Sequence, residues 1–384
     1  MSEIELNKNL YKEIVIEEEI ESEGISSEDD LMSDPFNASK ISISLKSPTI
    51  SFLVDMMKQD PSEIDLNTDF QISGDLWGPE KQSRLIESVL IKFPLPAFYF
   101  DAESDKKWLV VDGLQRLCSF NNFIVKGTLR LKGLEFLKHL EGKGYSELDR
   151  SLQRLIDQTQ LIAYVINPGT PVNVKYNIFK RINTGGLILK PQEIRHALFQ
   201  GTAATFVKDL ASLESFKSAT ENKIPTNRML DREFANRFIA FFLTPPEDYK
   251  PDLESFLSDA MEKLQHLDES SRKEMVVAFD SAMKTAKAIF DNWAFRKADQ
   301  YPDRIKPINK AVFEVWAVEL AKLSFESHKI LINKKTIVLE KFVNLCKKDQ
   351  RFVEAISQAT GDKNRTLYRF KKVKELIQEI LNDK

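Results

Sequence analysis

Cysteine is nearly missing from this chain. Cys118 and Cys346 are the two it has, far apart and each inside a helix-like pattern. They exclude a disulfide framework and any Cys-x-x-Cys metal or redox motif, and they fit a reducing cytoplasm. Histidine is almost as scarce: His139, His196, His266 and His328 are scattered, with no His-Glu-x-x-His pair, which excludes a dedicated zinc site and a histidine-metal nuclease domain. The phosphate-binding pattern Gly-x4-Gly-Lys-[Ser/Thr] and the nucleophile elbow Gly-x-Ser-x-Gly do not occur. No apolar run reaches the ~18 residues that a membrane span needs, and no apolar leader follows a basic start, so neither a membrane partner nor secretion is expected.

What is present is polar in a patterned way. The net charge of −3 hides an asymmetry: residues 1–35 hold twelve acidic side chains against Lys8 and Lys12, leaving the remainder at net +7. Residues 329–384 carry fourteen Lys and Arg against seven Asp and Glu, enough for a basic face that meets a phosphate backbone or for a solvated helix surface. The run from Ile14 to Asp30 reads as a disordered acidic tail that screens a basic surface or serves solubility.

The periodicities predict an α+β chain: a small α/β core followed by an all-helical domain. Residues 1–35 form the tail, 36–170 the α/β domain, 171–245 a helical extension completing the site, and 246–384 the helical C-terminal domain. In the α/β part a strand precedes a helix after Ser47-Pro48, and Pro79 opens an amphipathic helix showing Gln82, Arg84 and Glu87 on its polar face. The segments around Phe98, Val110 and Tyr164 read as strands. From Pro171 onward helical spacing takes over, with a stop at Asn183-Thr184-Gly185-Gly186 and a restart at Pro191.

The richest stretch is Trp108–Phe120, WLVVDGLQRLCSF. It reads as a buried strand, a glycine turn and a helix start, with Cys118 a buried structural thiol on the apolar side. Asp112 as N-cap and Gln115 three residues later suit a capping box. Arg116 does not fit that reading, because a cation in a helix's first turn opposes the macrodipole at a cost of about 0.3–1 kcal/mol. Two readings stand: an anion site built from Gly113, the helix start and Arg116, or a structural turn with a salt-bridged arginine. Glu141-Gly142-Lys143 has a spacing found in some nucleases but sits in a glycine loop and weighs little.

Four segments in one order carry a resemblance: residues 70–100, Trp108–Phe120, Phe179–Leu198 and Arg228–Phe242. Together they are similar to the N-terminal domain of GmrSD-type type IV restriction enzymes, whose hallmark is a DGQQR motif, in a member without a histidine-metal nuclease domain. The resemblance implies a ParB/sulfiredoxin-like core and a catalytic set of Asp112, Gln115 and Arg116: base or metal ligand, water orienter and phosphate clamp. Gly113, Trp77, Arg84, Asn183, Gly185, Gly186, Glu193 and Arg195 would bind a nucleoside triphosphate, with Mg²⁺ held by phosphate oxygens and by Asp112 rather than by a protein cage. Each has a structural alternative: Asn183, Gly185 and Gly186 as a helix C-cap, Glu193 as an N3 capping partner, Arg195 and Arg84 in local pairs, and Trp77 as a core anchor.

Two departures bear on activity. Leu114 stands where the motif has its first glutamine, and Ile72 where relatives carry an arginine; losing a cation near phosphates weakens hydrolysis while leaving binding intact. The expected function is nucleotide-dependent targeting of DNA in anti-phage defence, coupled to cleavage or nicking. The alternative is a non-catalytic sensor of nucleotide or modified DNA that regulates a partner effector. A third reading has the acidic tail occupying the chain's own basic groove. DNA, an effector and self-association are the partners considered.

Overall fold

Among the described residues, short runs of aromatic and β-branched residues make one sheet, and most of the rest is helix. The computed structural model describes residues 19–21, 41–64, 66, 77–104, 107–182 and 189–383. It divides into a unit spanning Phe36–Leu198 with Met1–Glu3, and a second spanning Phe199–Lys384 with Ile4–Pro35. The architecture is α+β.

In the first unit, strands β1 (Ile43–Lys46), β2 (Phe98–Ser104), β3 (Lys107–Asp112) and β4 (Ala163–Ile166) form a mixed sheet in the order β1-β4-β2-β3. The β2–β4 pair is parallel and the other two are antiparallel. Thr49 caps α1 (Ile50–Lys58) by accepting the Phe52 N–H at 3.2 Å. Pro79 starts α2 (Pro79–Leu90) at a position where its missing N–H costs nothing. Helix α3 (Leu114–Phe120) follows β3 and packs against α2, while α4 (Arg150–Gln158) packs against α1 and α2. These helices close one core around Leu53, Ile86, Phe100, Val110, Leu117 and Ile156. Each such side chain contributes about 1.5–3 kcal/mol by leaving water.

The first unit runs past residue 170, to Leu198. Helix α5 (Val172–Ile182) packs against β3 and against α6 (Pro191–Leu198). Lys175 of α5 forms a 2.6 Å ion pair with Asp101 of β2, both largely buried. That buried pair fastens α5 to the sheet, so the division expected at 170 falls after α6 instead. The division expected at 245 is not seen either, because α9 (Leu230–Leu243) belongs inside the second unit.

That second unit is helical: α7 (Thr202–Ser212), α8 (Glu214–Ala219), α9, α10 (Leu253–His266), α11 (Glu269–Phe290), α12 (Lys310–Ala321), α13 (Phe325–Asn333), α14 (Lys335–Lys348), α15 (Gln350–Ala355) and α16 (Lys363–Asn382). Helix α9 packs against α7, α10 and α12. Phe234, Phe216 and Phe295 all stack edge-on against Phe313 with ring centroids 4.8–5.9 Å apart. Beside them Glu314, 1% exposed, accepts from Arg237 at 2.6 Å and from Arg369 at 2.8 Å, joining α9, α12 and α16.

Two expectations need correction here. Glu19, Ile20 and Glu21, placed in a disordered tail, are docked: Ile20 is buried and pairs with Ile308 as a parallel bridge. Gln82 and Glu87, assigned to the polar face of α2, are buried too. The Glu87 carboxylate accepts the backbone N–H groups of Glu135, Phe136 and Leu137 at 3.0, 2.7 and 2.7 Å. A buried carboxylate is stable when its lone pairs are filled in this way, which helical periodicity alone cannot foresee.

Candidate functional site

The capping box does not form. Asp112 ends β3, and Gly113 is the N-cap of α3, at φ 106° with no side-chain cap bond. A Cβ on Gly113 would lie 2.4 Å from Phe98 Cδ1. The glycine is therefore required by the buried Phe98 ring beneath the turn as well as by its left-handed backbone.

Arg116 explains itself structurally. It is buried, and its guanidinium donates to the carbonyl oxygens of Pro96 and, at 3.0 Å, Ala97, and to Asp112 Oδ2 at 3.2 Å. Its flat face lies over Phe98, 4.2 Å from the ring centre. Burial pulls its pKa down and the charges of Asp112 and Tyr99 oppose that shift. The supposed penalty of a cation at the helix start is offset by these carbonyls and by Asp112, which reach it before any anion must. Of the two sequence readings of this turn, the salt-bridged one describes the geometry.

Gln115 reaches the other way. Its Oε1 accepts the backbone N–H of Trp77 at 3.2 Å, Gln82 donates to the Trp77 carbonyl at 2.7 Å, and Asn122 donates to Gln82 Oε1 at 3.1 Å. Thus both backbone groups of Trp77 are held by glutamines, one from α3 and one from α2. The Trp77 ring packs against the core and carries Lys81 Nζ 4.3 Å from its centre. Trp77 with Gln115, and Asp112 with Arg116, form two bonded pairs that share the turn at Gly113.

The other candidates sit elsewhere in their bonding. Arg84 donates to the Gly133 carbonyl at 3.3 Å and pairs with Glu135 at 3.1 Å, half exposed, rather than with Glu87 or the motif. Glu193 accepts the Lys190 N–H at 2.6 Å, the N3-to-N-cap bond of a helix start. Arg195, fully buried, donates from Nε to Gln192 Oε1 at 2.8 Å. Asn183, Gly185 and Gly186, and likewise Ile72, lie outside the described residues. Glu141 of the Glu-x-Lys pattern accepts from the N–H groups of Gly133 and Leu134 at 2.7 and 3.2 Å, a structural role.

Several of these partners carry no signal in the sequence. Pro96, Ala97 and Phe98 precede the motif by about one strand, and Gln82 and Asn122 are brought to Trp77 by helix packing. The sole hint is that Arg116 is misplaced for a helix start, which says that it must have partners without saying which.

The described turn does not fit a phosphate cradle. Its glycine is taken up by Phe98, its arginine by carbonyls, and its one carboxylate, Asp112, by Arg116. Among the described residues no group of three His, Cys, Asp or Glu side chains is placed to hold a metal ion, and no helix is long and apolar enough to cross a membrane. Two shallow surface hollows lie in the second unit. One, of about 460 Å³, is lined by Asp259, Glu262, Lys263, His266 and Leu267; the other, of about 180 Å³, by residues between Arg351 and Tyr368.

No curated protein and no solved structure matches the chain. The family model described as GmrSD restriction endonuclease, N-terminal domain, matches residues 69–200. That stretch holds α2 to α6 and β2 to β4, and with them every candidate residue from Trp77 to Arg195. Three of the four sequence segments that carry the resemblance fall wholly within residues 69–200, which are similar to that family's N-terminal domain, and the fourth, Arg228–Phe242, lies outside the match.

Proposed function

We propose that this protein targets foreign DNA in a restriction-type defence, with the GmrSD-type domain acting as a recognising part that signals to an effector rather than as the cutting centre. The observation that carries this choice is the commitment of Arg116. A phosphate clamp must present its guanidinium to the ligand, whereas this one is buried on Phe98 with the Pro96 and Ala97 carbonyls and Asp112 as its acceptors. Gln115, the candidate water orienter, holds Trp77 instead. Support for DNA comes from the family's restriction role and from exposed cations at the end of α14 and beyond: Lys347, Lys348 and Arg351. Contacts of this kind neutralise phosphates and weaken steeply with salt.

A second reading keeps hydrolysis, with a nucleoside triphosphate and Mg²⁺. It is favoured by one feature: Asp112, the motif's carboxylate, remains 28% exposed at the end of β3. No step of the first reading runs through either group.

The test measures binding of modified and unmodified plasmid DNA across a salt series, alongside nucleotide turnover and nicking, for the parent chain and Asp112→Asn. The recognising role predicts salt-sensitive DNA binding with no multiple turnover and no nicking in either protein. Turnover or nicking that vanishes in a folded Asp112→Asn chain would establish the hydrolytic reading and end the first.

A further inference from the structure

The segment Glu19-Ile20-Glu21 is held in the second unit by every kind of contact that a bound peptide makes. Its backbone is paired on both sides of one residue: the Glu21 N–H donates to the Ile308 carbonyl and the Ile308 N–H to the Glu19 carbonyl, each at 2.9 Å. Ile20 is 5% exposed. Glu19 forms a 2.5 Å ion pair with Lys223. The two oxygens of Glu21 are read separately, Oε1 by Lys297 and Oε2 by Asn309 Nδ2 at 3.0 Å. Glu19 is helical and Ile20 makes the bridge, so the three positions present a carboxylate, a buried apolar side chain and a second carboxylate.

The receiving groups are fixed independently of the segment. On its far side Ile308 bridges to Arg296 in the antiparallel sense, and the Asn309 N–H donates to the Phe295 carbonyl at 2.9 Å. Asn309 caps α12 by accepting the Val312 N–H at 2.8 Å and donates to the Ile356 carbonyl at 2.7 Å. Lys297 Nζ, largely buried, also donates to Ser357 Oγ at 2.6 Å. A slot with its own internal anchors, a backbone donor and acceptor at Ile308 and two positioned donors for one carboxylate can take up a peptide through backbone pairing and charge.

We propose that the edge at Ile308, with Lys223, Lys297 and Asn309, is a recognition slot for an acidic–apolar–acidic segment of a partner protein, and that Glu19–Glu21 is its resident competitor. The partner's segment pairs with Ile308, buries its apolar side chain where Ile20 lies and gives its second carboxylate to Lys297 and Asn309. Binding in trans then requires the chain's own segment to leave.

The test titrates a fluorescein-labelled peptide of residues 15–23 into the full chain and into an unloaded full chain carrying Ile20→Asp and Glu21→Ala. The unloaded chain should bind the peptide at least tenfold more tightly than the parent. Adding Lys297→Glu should remove that gain, and a peptide with lysine at the position of Glu21 should recover it. Amide exchange at Ile308 supplies a second readout: fast in the unloaded chain, slow again once the peptide is added. Equal peptide binding by parent and unloaded chains, or an Ile308 amide that stays protected after unloading, overturns the proposal. So does a Lys297→Glu chain that binds the unchanged peptide as well as the unloaded chain does.

Discussion

Replacing Gly113 by alanine separates a structural glycine from one kept open for a ligand. The residue stands at φ 106°, and an added Cβ would fall 2.4 and 2.9 Å from Phe98 Cδ1 and Cε1, and 3.2 Å from an Arg116 guanidinium nitrogen. Phe98 cannot retreat easily: it is fully buried, lies nearly parallel to Phe100 at 6.4 Å, and carries Arg116 on its face. Two costs add. The left-handed backbone costs an L-residue roughly 1–2 kcal/mol. Forcing a methyl into a filled core costs about 1–3 kcal/mol more. Gly113→Ala should therefore destabilise the first unit by about 2–5 kcal/mol, at about 2–4 °C of melting temperature per kcal/mol for a unit of this size.

Amide exchange of β3 and α3 reports that loss without interference from the second unit. A double-mutant cycle with Phe98→Leu then divides it, because a smaller side chain at 98 removes the clash but leaves the backbone strain. The Gly113→Ala and Phe98→Leu pair should be about 1–3 kcal/mol less destabilised than the sum of its single members. If Gly113→Ala unfolds like the parent while losing a ligand, the glycine serves approach to the backbone, and the account given of Phe98 is wrong. Strict additivity in the cycle would refute the clash itself.

Arg116→Lys should destabilise the same unit by about 1–3 kcal/mol for each buried carbonyl it leaves unpaired, since an ammonium cannot serve Pro96, Ala97 and Asp112 together; chemical denaturation measures it. Burial raises the Glu87 carboxyl, but the N–H groups of residues 135–137, with Arg84 nearby, outweigh it and hold the pKa below its ordinary 4.5. A lowered pKa stabilises the folded chain fully above about 4.5 and progressively less as the pH falls through the lowered value. Glu87→Gln should remove that acid-side slope from the unfolding free energy, and an unchanged slope would count against the role given to Glu87. Glu314→Ala leaves Arg369 buried without its counter-ion, while Arg237 keeps Glu233 at 3.0 Å, and should cost the second unit about 3–5 kcal/mol, visible in amide exchange of α16 more than of α9. Burial pushes the Cys346 thiol up to about 12, and Cys118 is buried as well, so a thiol reagent should find no fast-reacting group in the native chain and two after denaturation.

Helix starts and strand cores were legible because their causes are local. Pro79 and Pro191 open helices where proline is tolerated, the hydrophobic alternation marks β3, and Thr49 follows Ser47-Pro48 into a capped helix. Buried polar side chains were not legible, since periodicity sorts residues by polarity and not by partner. Gln82 and Glu87 looked like a solvated face, yet one holds Trp77 and the other collects three backbone N–H groups. The unit boundary fell elsewhere for the same reason: the packing of α5 on β3 and the Lys175–Asp101 pair, both remote in sequence, join α5 to the sheet. Of the candidate site, the motif and its family were readable, while the direction in which Arg116 and Gln115 face was not.

That direction sets what the turn does in the fold. Arg116 binds the turn to the entry of β2, and Gln115 binds it to Trp77 at the entry of α2, so the strand-to-helix turn is the knot where three parts of the domain are tied. A glutamine at position 114 would add nothing to that knot: Leu114 is buried in the core, and a polar side chain there would need a partner or would cost stability. A leucine at this position thus suits a turn that serves the architecture of the domain. It follows that Leu114→Gln alone should not create nucleotide turnover, because Arg116 would still be held on Phe98. Only a variant that frees the guanidinium from the Pro96 and Ala97 carbonyls while the fold survives would place a cation where a phosphate clamp needs it.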